Sequence, residues 1–542
     1  MRRRLAIGAV TALAIAGSGL QLATAAGPSA GSDQRHRDRI TNLVVIYQEN
    51  HSFDNVFGNW GTVGGQRVDG VSRATPQHRT QVAQDGTAYG CLLQNDVNLT
   101  SPPLDGWCAD NHTSPAFKSN FANTPFRIDD YIKADDKTCP FPGQKDVGNG
   151  VVKGSGLPGG CTRDLVHRFY QEQYQLNGGM QNRYVTGSDA VGLTMGTYET
   201  KNLPIYKYLH TRRAPHYVVA DRFFQAAFGG SFLNHQYLIA ARAPLDTNPR
   251  SGATPTKNSV IDANGMPNKY ALYTPTREVV DGQLTQACAN GATEDYARAC
   301  GDFAVNTVQP AVEPKAKDSP SIPLVDDSKY PNIGDRLSAA RVSWNWYSGG
   351  WNDAESGKPG ALFQYHHQPF NYFANYAPGK PGRQHLKDET EFFTAARRGT
   401  LPTVSFVKPY GAENEHPGYA SEPDGSDHLV KLLKAVQAGP QARHTAIVVT
   451  YDEFGGQWDH VSPPGQGSST RGVSDAFGPG TRIPALVISA AFRRSGVDHT
   501  VYDTTSILAS IERRLGLAPV STRDAAVNDL RNALRVGGVR QR

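Results

Sequence analysis

An apolar, largely β-branched run, Leu43-Val44-Val45-Ile46-Tyr47, stops abruptly at Gln48-Glu49-Asn50-His51-Ser52-Phe53-Asp54, and no other junction constrains the fold as much. A strand with almost no polar face must be covered on both sides, as in a central strand of a parallel sheet. Open α/β sheets bind ligands beyond the carboxyl ends of their strands, so this polar cluster arrives where chemistry is usually done. A strand-to-helix turn with Ser52 as N-cap would also be polar, and the local pattern alone does not separate the two readings.

The rest of the chain agrees with an α/β sheet. His216 to Asp221 and Val342 to Tyr347 read as strands, and the last third alternates: strand 403–407, helix 426–438, strand 445–451, strand 483–489 and helix 506–515. Repeated βα units imply right-handed crossovers and a largely parallel sheet with helices on both faces. The strand 445–451 ends in Tyr451-Asp452-Glu453, two consecutive carboxylates that repel when ionised. A bound cation compensates such a pair, and nearby arginines are the alternative. Strand 403–407 is followed by Glu413-Asn414-Glu415-His416.

Gly229-Gly230-Ser231 precedes a helical pattern, which describes a tight turn presenting a hydroxyl where helix amides stabilise negative charge. By spacing alone Ser231 reads as an N-cap. His167 falls on a helix expected over 164–175, where a histidine is usually structural. His366 and His367 are adjacent, so on extended backbone only one faces a site.

Glu49-Asn50-His51-Ser52-Phe53-Asp54, the Gly229-Gly230-Ser231 turn, the Glu413–Gly418 segment and Tyr451-Asp452-Glu453 through Asp459-His460-Val461-Ser462-Pro463-Pro464 occur in that order. Together they resemble the bacterial phosphoesterase family that unites secreted phospholipases C with acid phosphatases, within the alkaline phosphatase superfamily. The likeness runs from residue 41 to about 515 and is weakest over 61–160 and 245–335. It implies an alkaline-phosphatase-like α/β fold in which those two stretches are cap or loop insertions on one domain, 27–542. It also implies one divalent metal ion held by Glu49, Asn50, Ser231, Asp452 and Glu453, with Ser231 as nucleophile and His416, His167 and His366 at the phosphate. His366 is preferred to His367, and Asp459 and His460 are placed in supporting roles. An all-oxygen set favours calcium, magnesium or manganese, while histidines at its edge leave zinc and iron open. Because the turn is Gly-Gly-Ser, the acid-phosphatase branch is the nearer one.

Arg2, Arg3 and Arg4 precede an apolar run ending at Ala23-Thr24-Ala25, so residues 1–26 read as a secretory signal. The Arg-Arg pair is compatible with twin-arginine export, although the surrounding motif is incomplete. Removing those three arginines lowers the formal net charge from +5 to +2, and nothing in that balance points to nucleic acid. Six cysteines in an exported chain suggest disulfides, most simply Cys91–Cys108, Cys139–Cys161 and Cys288–Cys300.

The expectation is a secreted hydrolase of small phosphomonoesters acting through a phosphoserine, with no obligate protein partner. A phospholipase C shares every signature and would touch lipid transiently. A sulfatase is disfavoured because no Cys-x-Pro-x-Arg segment is present, and a non-enzymatic binding protein leaves the clustering of Glu49, Ser231, His416 and Asp452 unexplained.

Overall fold

The computed structural model describes residues 40–94, 98–99, 104–143, 150–245, 260–280, 303–317, 319 and 324–539. The signal segment 1–26 and the pair Cys288–Cys300 lie outside the described residues. Eight strands make the central sheet: β1 (Asn42–Gln48), β2 (His216–Ala220), β3 (Trp344–Ser348), β4 (Leu386–Asp388), β5 (Val404–Lys408), β6 (Thr445–Tyr451), β7 (Ala485–Ser489) and β8 (Gly496–Asp498). Their spatial order is β4-β3-β5-β1-β6-β7-β2-β8.

All pairings are parallel except those of β7, which runs antiparallel to both β6 and β2. Simple βα alternation would have made β7 parallel to β6. The chain between them forms no helix, and without a crossover element the strand returns in the opposite direction. Strand β6 is buried along its whole length, and β1 along nearly all of its own. Each fully buried Val or Ile there contributes roughly 1.5–3 kcal/mol relative to exposure, which fixes these two strands at the centre.

The helices used below are α1 (Phe53–Val56), α2 (Phe169–Leu176), α3 (Ser231–Ala240), α4 (Glu389–Arg398), α5 (Glu422–Ala438) and α6 (Thr505–Leu515). Helix α5 starts four residues earlier than its apolar periodicity suggests. Ser421 caps it by accepting from the Asp424 N–H, and Pro423 in the first turn pre-sets the backbone. All ten residues of α3 are buried, including the polar Ser231, Asn234, His235 and Gln236.

The stretch from 61 to 160 forms short ladders, among them Cys91–Leu92 with Phe121–Ala122 and Cys108–Asp110 with Phe117–Ser119. Disulfides Cys91–Cys108 and Cys139–Cys161 tie this region together, in the expected pairing.

Candidate active site

Register brings the strand ends together. Gln48 pairs with Tyr451 and Ile46 with Val407, so Glu49, Asp452 and Lys408 leave β1, β6 and β5 side by side at the carboxyl edge. Asn50 adopts φ 54°, a left-handed conformation that asparagine tolerates better than most residues and that costs about 1–3 kcal/mol. The bend lets the Asn50 N–H donate to Asp452 Oδ1 at 3.1 Å, while the same oxygen accepts from the Glu453 N–H at 2.8 Å.

Ser231 arrives from the opposite side as the first residue of α3. The N-cap is Gly230, with no side-chain cap, so the Ser231 hydroxyl does not serve as the helix cap. Gly229 has φ +87°, and a Cβ there would stand 2.5 Å from the Phe169 nitrogen; glycine is required. The Gly229 N–H donates to Glu172 Oε2 at 2.6 Å, and the other Glu172 oxygen accepts from the Thr481 N–H at 2.7 Å. Burial outweighs these bonds and pushes the Glu172 carboxyl up to about 7. So anchored, Ser231 Oγ lies 3.2 Å from Glu49 Oε2 and 3.3 Å from both Asn50 Oδ1 and Glu453 Oε1. One hydroxyl proton can serve only one of these acceptors.

Two histidines close the site. His416 Nδ1 donates to the Pro417 carbonyl at 2.7 Å, which turns Nε2 toward Asn50 Nδ2, 2.9 Å away. His167 Nδ1 donates to the Leu165 carbonyl, and its Nε2 lies 3.2 Å from Glu453 Oε1 and 3.4 Å from Asn50 Nδ2. His167 is not on a helix: Arg168 is extended and α2 begins at Phe169, so the segment before it is free to run into the site. The adjacent pair also differs from expectation. It sits on a 3₁₀ turn, not extended chain, and His367 rather than His366 meets the carboxylates, with Nε2 2.9 Å from Glu49 Oε1. The His366 ring stands beside the rings of His367 and His235, at 4.7 and 6.0 Å.

Sequence reasoning missed three groups. Glu172 holds the serine turn; His235 lies four residues after Ser231 on α3 and donates from Nδ1 to its carbonyl at 2.7 Å; Lys408 contacts Glu49 Oε1. The signals were present: one glutamate on a short helix, an i,i+4 Ser-His pair, and a lysine closing the mostly apolar Val-Ser-Phe-Val run.

The electrostatics favour a cation. Burial opposes ionisation of Glu49, but the Lys408 ammonium together with His367 and His416 outweighs it and holds the carboxyl well below the usual range. Burial and the Glu49 charge push Asp452 up to about 8, and burial and Asp452 push Glu453 well up. These carboxylates strain against one another without further positive charge. Asp452 Oδ2 is buried with no hydrogen-bond partner, and the convergent atoms are oxygens of hard-cation type. Glu49, Asn50, Asp452, Glu453 and Ser231 therefore fit a divalent metal ion.

The next few residues lead elsewhere. Asp54 and Asp459 close around Arg482, with Nη2 3.1 Å from Asp54 Oδ1 and Nε 3.0 Å from Asp459 Oδ1. His460 Nδ1 lies 2.5 Å from Asp54 Oδ2. His51 Nε2 lies 2.8 Å from the Glu415 carbonyl, and Ser52 Oγ donates to the Trp458 carbonyl at 2.7 Å. These residues brace the loops that carry Glu49, His416 and Asp452.

The central strand ends thus bring a serine, carboxylates and histidines together, and comparison with known proteins supports phosphoric-ester hydrolysis as the class of chemistry. The Phosphoesterase family model matches residues 40–518, and the chain belongs to that family. It is 24% identical over 558 residues to phospholipase C B of Mycobacterium tuberculosis (strain CDC 1551 / Oshkosh), covering 96% of this chain and 81% of that one. Over a shorter span of 218 residues, 34% of this chain and 29% of the relative, it is 31% identical to a non-hemolytic phospholipase C of Burkholderia pseudomallei. Among solved structures, a putative sulfatase from Bacteroides thetaiotaomicron aligns over 43% of this chain and 61% of its own, at 11% identity and a TM-score of 0.25.

Proposed function

We propose that the protein is an exported, metal-dependent phosphoric-ester hydrolase that works through a phosphoserine at Ser231, with small phosphomonoesters as its substrates. The observation that carries this reading is the Ser231 hydroxyl, held at the start of α3 among Glu49, Asn50 and Glu453 at 3.2–3.3 Å. A divalent cation bound by Glu49, Asn50, Asp452 and Glu453 would supply positive charge that favours the serine alkoxide and neutralises the phosphoryl group.

The chain's own residues do the rest. Ser231 Oγ, its proton passing to the neighbouring carboxylates, attacks phosphorus in line; the bond to the leaving oxygen breaks, giving phosphoserine and the alcohol. The free amides at the start of α3 face the phosphoryl oxygens. His416, its Nδ1 committed to the Pro417 carbonyl, acts at Nε2: as imidazolium it protonates the leaving oxygen, and as imidazole it then takes a proton from the water that hydrolyses the phosphoserine. His167, its Nδ1 likewise committed to the Leu165 carbonyl, would donate from Nε2 to the phosphoryl oxygens as imidazolium.

The monoester preference is supported by His416 and His167 turning Nε2 toward the Ser231 pocket at the start of α3, where several hydrogen-bonding groups surround one small volume that suits a dianion. Trp344, Trp346 and Tyr347, candidates for a cage around a quaternary ammonium, are packed inside the sheet at 1%, 0% and 2% exposure. A second reading, phospholipase C, is favoured by the names of the mycobacterial relatives.

Acid quenching during turnover, followed by peptide mass spectrometry, tests the mechanism. A phosphoryl group on the Ser231 peptide is expected. Product formation in a single turnover with no phosphorylated Ser231 at any time would assign the attack to water.

A further inference from the structure

Lys408 ends β5 with its side chain fully buried. An ammonium taken out of water is costly unless paired, so its partners reveal what it is for. It contacts Glu49 Oε1, donates to the Gln48 carbonyl at 3.2 Å and lies 5.2 Å over the Tyr47 ring. The same Glu49 oxygen is 2.9 Å from His367 Nε2 and 4.0 Å from His235 Nε2.

The two imidazoles are stacked, with centroids 5.2 Å apart and planes 7° apart. Because His235 Nδ1 donates to the Ser231 carbonyl, its Nε2 carries a lone pair in the neutral ring, and that buried atom has no hydrogen-bond partner. Glu49, His235 and His367 thus offer one carboxylate oxygen and two imidazole nitrogens within 4.8 Å of one another. That is a ligand set for a transition metal.

We propose that the Lys408 ammonium takes the cation position of this second ligand set, so that the centre holds a single divalent ion, and that Glu49, His235 and His367 form a latent metal site which Lys408 plugs. Glu49 then serves two cations, Oε2 facing the Ser231 side and Oε1 facing the lysine. The inference rests on the single-ion reading given above and extends it: a lysine stands where a second metal would otherwise bind.

The test counts ions, independently of turnover. The full-length protein is stripped with a chelator and equilibrated with Co²⁺, whose visible absorption reports nitrogen ligation, and cobalt per folded chain is measured by elemental analysis with folding checked by circular dichroism. One Co²⁺ per chain is expected for the wild type and for Lys408→Arg, and two for Lys408→Met, the second with nitrogen-ligated bands. Equal counts in wild type and Lys408→Met, or any wild-type count other than one, overturns the proposal. Should Lys408→Met fail to fold, His367→Ala in the wild-type background decides: retention of one Co²⁺ supports the plug, and loss of the ion shows that these histidines already hold metal. An inactive wild type would count against the hydrolase reading without moving any of these numbers.

Discussion

Two buried carboxylate clusters, built from the same two chain segments, end in opposite states. Residues 49–50 and 452–453 make the serine cluster, and a few positions on, Asp54 with Asp459 and His460 make the other. In the second, the Arg482 guanidinium bridges both aspartates and also donates to the Asp69 and Asp221 carbonyls at 2.7 and 2.9 Å. Its charges are matched inside the protein. In the first, Asp452 Oδ2 has no hydrogen-bond partner, and among the described residues neither Asp452 nor Glu453 has an ion pair with a lysine or arginine. The same residue types form an internally matched brace where Arg482, just ahead of β7, sits between both aspartates, whereas in the serine cluster the Lys408 ammonium reaches Glu49 and leaves Asp452 and Glu453 with no lysine or arginine partner among the described residues.

Breaking each cluster should therefore have different consequences. Ser231→Ala is expected to lower kcat for phosphoester hydrolysis by at least ~10³, about 4 kcal/mol, with an unchanged melting temperature. Retention of a tenth of wild-type turnover by the metal-loaded variant would remove Ser231 as nucleophile. Arg482→Met should do the reverse. Stranding Asp54 and Asp459 as unpaired buried charges should destabilise the fold by about 3–5 kcal/mol in urea unfolding, while the folded fraction still binds metal. Metal loss from folded Arg482→Met would mean that the two clusters are one site.

The contrast also explains what was legible in the sequence. Strand β6 matched its expected residues because a fully buried strand is a largely apolar run, while Glu49, Asn50, Asp452 and Glu453 were singled out as a set by the family resemblance and lie at or just beyond the ends of β1 and β6. Ser231 reads as an N-cap by spacing and was singled out by the resemblance of its Gly-Gly-Ser turn, in which Gly229 is required by its left-handed backbone. What stayed hidden depends on long-range register. Asp452-Glu453 and Asp459-His460 look alike in one dimension, and only the fold puts Arg482, about twenty positions later, beside the second pair. Lys408 reads as a strand-ending surface lysine until β5 is known to lie beside β1. The His366 preference missed because the pair lies on a 3₁₀ turn.

Protonation separates the clusters further. Burial pulls the His460 imidazole down, but Asp54 and Asp69 outweigh it and raise it to about 9. A histidine raised in the folded state stabilises most at pH below its unfolded value near 6.5, and that contribution is lost as pH rises through about 9. The stability difference between wild type and His460→Gln should shrink across that window by up to about 3 kcal/mol. A difference independent of pH from 6 to 10 would show that His460 is neutral in the fold. Asp452→Asn should instead lower metal affinity by at least about tenfold, roughly 1.4 kcal/mol, read by competition with a chromophoric chelator. Unchanged affinity would place Asp452 outside the metal's ligands.

The smallest expected effect is the most informative about substrate, because it asks what the serine cluster is charged to receive. A monoester brings two negative charges to a volume where His416 and His167 present Nε2 and α3 presents its amides. A phosphatidylcholine diester brings one negative charge and needs a home for its ammonium, and the aromatic residues of β3 are enclosed in the sheet. With metal supplied, kcat/KM for p-nitrophenyl phosphate should exceed that for p-nitrophenyl phosphorylcholine and for phosphatidylcholine by about tenfold, near 1.4 kcal/mol of transition-state binding. A tenfold preference in the other direction would make the protein a phospholipase C like its mycobacterial relatives in name. It would also show that residues beyond the serine cluster bind the headgroup, leaving Ser231 and its carboxylates as the common machinery of both reactions.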